Sequence, residues 1–92
     1  FIIDKRLGYS QWAHMGMFMQ SIALAALERG VSNCMQECWA TLRTPLAAHF
    51  GLGETEMIYC GMALGYADDS APINMLRSAR AGVDEIAEFR GF

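Results

Sequence analysis

Residues 11–30 read QWAHMGMFMQSIALAALERG, and this stretch decides the fold. On a helical period of about 3.6 residues, Trp12, Met15, Met17, Phe18, Met19, Ile22, Leu24 and Leu27, with the intervening alanines, cover most of the circumference. His14, Gln20 and Ser21 are too few to make a wet face. A helix that is apolar all round belongs in a core or a membrane. The polar residues His14, Gln20, Ser21, Glu28 and Arg29 cut the run short of the roughly 18 apolar residues a membrane span needs. The expectation is a core helix that something else must surround.

Working outward, Ser10 is the expected N-cap of this helix, because its hydroxyl can accept an unpaired backbone N–H. Gly30 is the expected left-handed residue beyond its end. Before the helix, Phe1-Ile2-Ile3 reads as an extended start and then turns polar. After it, residues 31–35 read as a link and Gln36 to Leu42 as a short helix. Thr44 as N-cap with Pro45 at the first position predicts a second short helix, stopped by Gly51. Glu56 to Tyr66, EMIYCGMALGY, reads as one inner strand covered on both faces, with Gly61 and Gly65 marking close approaches. A polar loop follows at residues 67–74. Val83 to Phe89 has room for a turn or two of helix, and Phe89 and Phe92 sit on an apolar tail.

The composition points the same way. The chain has 92 residues, of which 53% are hydrophobic and 18% charged, more apolar than a domain with so much surface should be. One inner strand is not a sheet. The chain therefore reads as a single partial domain, residues 1–92, of a longer polypeptide that also oligomerises. The net charge of −3 and the lack of a basic run argue against nucleic acid as a partner. No secretory leader is visible, and three cysteines (Cys34, Cys38 and Cys60) suggest free thiols in a reducing, cytoplasmic setting. Their spacing from each other and from His14 and His49 is not that of a metal site.

Two places could carry chemistry. Cys34-Met35-Gln36-Glu37-Cys38-Trp39 opens a helix, where free backbone N–H groups suit an anionic or electron-accepting group. The alternative is that Gln36 and Glu37 are ordinary first-turn residues favoured by the helix dipole. Arg77 and Arg80 stand in a non-helical stretch and could hold a phosphate. The alternative there is surface charge facing Asp68, Asp69 or Asp84. His14 reads as a packed core histidine, and the methionines read as packing.

Taken in order, four segments resemble the FMN-dependent nitroreductases, nearest their nitrobenzoate-reductase-like branch. Trp12 through Val31 resembles their central helix, and Cys34 through Trp39 their flavin-edge segment. Cys60-Gly61-Met62-Ala63-Leu64-Gly65-Tyr66-Ala67-Asp68 resembles their late strand. Asn74, Leu76, Arg77 and Arg80, with Phe89 and Phe92, resemble their C-terminal end. The resemblance implies an α+β fold, here the C-terminal part of a nitroreductase-like domain with a long helix and inner strands. It implies intertwined homodimers, FMN at the subunit interface, and NAD(P)H as the hydride donor for small nitroaromatic or quinone-type acceptors. It places Gln36, Glu37 and Cys38 near the flavin and Arg80, with Arg77, near its phosphate. The interrupted apolar run of residues 11–30 separately argues against membrane association. Met35 and Cys38 depart from the proline and small residue often found beside the family's glutamate. The competing reading is a non-catalytic dimerisation module without flavin. A haem or other small-ligand site on His14 or His49 has only those lone residues behind it.

Overall fold

The computed structural model describes residues 1–92 as an open α+β arrangement with two small sheets. In chain order the elements are β1 (Ile2–Asp4), α1 (Ser10–Glu28), β2 (Ser32–Gln36), a 3-10 helix (Glu37–Leu42) and α2 (Arg43–Phe50). Then come β3 (Glu56–Ile58), β4 (Gly61–Gly65), a 3-10 turn (Pro72–Met75) and α3 (Val83–Ile86). β1 pairs antiparallel with β3, Ile3 opposite Met57. β2 pairs antiparallel with β4, Gln36 opposite Gly61 and Ser32 opposite Gly65.

The expected single strand over residues 56–66 is therefore two. Its halves serve different sheets, and the break falls at Tyr59-Cys60. The local cause is visible in the hydrogen bonds. Arg43 Nε donates to the Ile58 carbonyl at 2.9 Å, while Tyr59 N–H turns to the Phe1 carbonyl at 2.9 Å. Residues 32–35, expected as a link, are most of β2. Their polar Ser-Asn start hides a strand whose antiparallel partner is distant in sequence, Ser32 pairing with Gly65 and Gln36 with Gly61.

α1 runs where the apolar stretch predicts, and Gly30 beyond it has φ 70°. Its start differs from expectation. Tyr9 holds the N-cap position without a side-chain bond, and Ser10 is already helical. The side chain of Gln11 instead reaches back, donating from Nε2 to the carbonyls of Asp4 at 2.7 Å and Leu7 at 2.8 Å. α2 likewise begins at Arg43 rather than at Pro45, because the preceding 3-10 helix runs directly into it and no cap is needed. Gly51 closes it in the left-handed region at φ 64°, as expected.

The core is small. Ile3, Met19, Ala23, Ile58 and Cys60 are the only buried residues. They join one stripe of α1 to both sheets, and Asn33 Nδ2 reinforces the contact by donating to the Ala23 carbonyl at 3.2 Å. The rest of α1 corrects the expectation of a helix buried all round. Trp12, Met17, Phe18, Leu24 and Leu27 are exposed, and so is His14. The reason is a lack of neighbours. The radius of gyration is 17.2 Å, against about 12 Å for a compact chain of this length. The accessible surface is 7615 Å², against about 5300 Å² for a compact monomer of this mass. No helix is long and apolar enough to cross a membrane.

Candidate functional site

The site is built where β2 ends. Gln36 is the last residue of that strand, and Glu37 and Cys38 open the 3-10 helix. The first N–H groups of a helix have no partner within it, so this turn offers donors to whatever lies beside it. The turn is braced from both ends. Gln36 sits opposite Gly61 in the ladder, and its Oε1 accepts a hydrogen bond from Trp39 Nε1 at 2.8 Å.

Two cavities flank this turn and share Cys60. One, of about 330 Å³, is lined by Gln36, Trp39, Phe50, Gly61 and Met62 among others. The other, of about 510 Å³, includes Trp12, Met35, Glu37, Arg43 and Tyr59. Both are largely apolar with a few polar groups, the general chemistry of a small-ligand pocket. Cys34 and Cys38 are exposed free thiols, and Cys60 is a buried one. No group of three or more His, Cys, Asp or Glu gathers to hold a metal ion.

Arg77 and Arg80 lie apart from this turn. They stand on the extended stretch between the second 3-10 turn and α3, where every residue from Leu76 to Ala81 is exposed. Arg77 Nη1 donates to the carbonyls of Asn74 and Leu76, both at 3.0 Å. Arg80 Nη1 donates to the Ala79 carbonyl at 3.0 Å and to Ser78 Oγ. The ion pairs present are Arg6–Asp4, Arg29–Glu28 and Arg90–Glu88, so neither arginine is matched by a carboxylate. The alternative that they face Asp68, Asp69 or Asp84 as ion pairs is not what forms. Asp68 turns instead to Ser70, whose hydroxyl and N–H hold its carboxyl below the usual range. No hydrogen bond or ion pair joins Arg77 or Arg80 to Gln36, Glu37 or Cys38.

Sequence reasoning passed over two residues. Arg43 is the only cation between Gly30 and Arg77, and it ties α2 to β3 through the Ile58 carbonyl. A lone arginine in so apolar a stretch was the available signal. Trp39 stands out in the sequence only as part of the Cys34–Trp39 segment. Its packing on Gly61 depends on a strand pairing that the sequence does not display.

These features define a class: an α+β domain organised on one apolar helix, with an amide-bearing turn between apolar cavities and two unmatched cations on a separate exposed stretch. Comparison with known proteins places it more closely. The model of the Nitroreductase family matches residues 6–66. The chain belongs to the nitroreductase family. It is 37% identical to a 4-nitrobenzoate reductase of Pseudomonas putida over 92 residues, all of this chain and 40% of that protein. It is 34% identical to a chloronitrobenzene nitroreductase of Comamonas testosteroni, over 97% of this chain and 39% of the relative. Among solved structures, the FMN and NADPH-dependent nitroreductase NfnB from Sphigopyxis sp. strain HMH superposes with a TM-score of 0.94 at 40% identity. The match covers 99% of this chain and 41% of that one. NfnB of Mycobacterium smegmatis, solved in complex with NADPH, gives a TM-score of 0.90 at 28% identity. The chain thus corresponds to a C-terminal portion of its relatives, about two fifths of their length.

Proposed function

We propose that this chain is the C-terminal part of an FMN-dependent NAD(P)H oxidoreductase that reduces nitroaromatic or quinone-type acceptors. The observation that carries the reading is the match, along nearly the whole chain, to an FMN and NADPH-dependent nitroreductase at 40% identity. The residues present fit such a cofactor. The turn at Gln36, Glu37 and Cys38 offers amides to the polar edge of a ring system, and apolar walls beside it suit the ring's faces. Arg77 and Arg80 carry unmatched positive charge for a phosphate.

The flavin supplies the hydride chemistry, so this chain's residues bind, orient and exclude water rather than act as acids or bases. The amides at Glu37 and Cys38 would hold the ring's polar edge. Trp12, Met35 and Tyr59 line the apolar space beside Glu37. The exposed faces of α1 and the tail with Phe89 and Phe92 are apolar surface for further polypeptide: a second copy, the N-terminal part of the fold, or both. A cytoplasmic setting accords with three free thiols.

The test is NADPH oxidation by the purified protein with excess FMN and 4-nitrobenzoate under anaerobic conditions. Oxidation that depends on both the flavin and the nitro compound is expected. A protein that forms a stable colourless dimer and never consumes NADPH would replace this reading with that of a dimerisation module.

A further inference from the structure

We infer that Trp39 is a positioning residue, a clamp that sets the geometry of the Glu37–Cys38 amides through its packing on Gly61. The inference rests on the proposed flavin site and assigns this role to a side chain that the site itself does not require. Three observations carry it.

Trp39 Nε1 donates to Gln36 Oε1 at 2.8 Å, so a side-chain bridge spans the two residues that offer amides. Glu37 and Cys38 are the intervening pair, and the bridge limits how far their peptide planes can rotate. Gln36 is anchored opposite Gly61 in the ladder of β2 and β4. The indole folds back over that same pair. A Cβ built on Gly61 would overlap Trp39 Cδ1 and stand 2.8 Å from Nε1 and 3.2 Å from Cγ. The three nearest atoms it would meet all belong to the indole. Gly61 therefore faces the tryptophan: the close approach expected there of a backbone or ligand is made by an indole, whereas nothing lies within 4 Å of a Cβ on Gly65.

The consequence is a coupling that a double substitution can read. Gly61→Ala must push the indole away from Gln36 and release the turn. In a Trp39→Ala protein those three contacts are gone, so Gly61→Ala is expected to cost little further. The purified protein is titrated with FMN and followed by flavin fluorescence, and the visible absorption band of the bound flavin is recorded for each variant. Gly61→Ala is expected to weaken FMN by ~10-fold or more. Trp39→Phe, which keeps the ring and loses the N–H, should weaken it by roughly 2- to 12-fold, the worth of one hydrogen bond. Gln36→Leu removes the acceptor oxygen and should shift the band in the same direction as Trp39→Phe. The Trp39→Ala, Gly61→Ala double variant should match Trp39→Ala alone. Wild-type affinity in Gly61→Ala, or an equal further loss when Gly61→Ala is added to Trp39→Ala, would overturn the clamp while leaving the flavin site standing. A wild-type protein that binds no FMN would remove both.

Discussion

Removing the Arg80 guanidinium should weaken FMN and leave riboflavin alone. In the protein without ligand, Arg80 donates only to Ser78 and Ala79, its own neighbours, and no carboxylate neutralises it. Its charge is therefore free to meet a phosphate. A hydrogen bond to a charged group contributes roughly 1.5–3 kcal/mol. The residue is exposed, where solvent and salt screen the interaction, so the lower end applies. About 1.5 kcal/mol is ~10-fold in dissociation constant. Arg80→Ala should show that loss for FMN in a fluorescence titration at low salt. Riboflavin has the same ring and ribityl chain but no phosphate, and its affinity should not change. Added salt should narrow the gap between wild type and variant for FMN. Equal losses for both ligands would mean that the substitution disturbs the ring site or the fold. No loss for FMN would remove Arg80 from the phosphate.

Other expectations concern the scaffold. Gln11→Ala deletes both side-chain bonds that tie the start of α1 to the Asp4 and Leu7 carbonyls and should lower stability by roughly 1–3 kcal/mol in chemical denaturation. Gly51→Ala forces a side chain into the left-handed region at φ 64° and should cost about 1 kcal/mol, read as a lower midpoint. The Asp4 carboxyl is held at about 2, below the usual 3.8, first by the hydrogen bond from the Arg6 side chain and then by the Arg6 N–H. A depressed carboxylate stabilises the fold above its unfolded value, and that stabilisation fades as pH falls from near 3.8 through about 2. Arg6→Ala should return the Asp4 titration toward the usual value, as followed by NMR, and flatten the stability profile across that window.

Much of the architecture was legible because its signals are local. The apolar run of α1 with Gly30 after it, and Gly51 after α2, announce themselves within a few residues. What was not legible depends on partners distant in sequence. Ser32-Asn33 looks like a link until β4 pairs with it. The run from Glu56 to Tyr66 looks like one strand until Arg43 takes the Ile58 carbonyl and the two halves join different sheets. Ser10 and Thr44 had the right chemistry for caps, but the Gln11 and Trp12 N–H groups already donate to the Gly8 and Tyr9 carbonyls, and the 3-10 helix runs straight into α2. The burial of α1 was overread for a related reason. Its composition suits a helix wrapped on all sides, and this chain covers only the stripe at Met19 and Ala23. The site divides in the same way. Unmatched arginines are visible as charge in the sequence, whereas the indole of Trp39 lying on Gly61 exists only once the ladder has formed.

The most direct measurement is the amount of flavin the protein holds. The protein is purified, saturated with FMN, freed of excess by gel filtration and denatured, and the released FMN is quantified per chain. The account predicts a yellow protein that releases close to one FMN per chain. A colourless protein that releases none after saturation would contradict it.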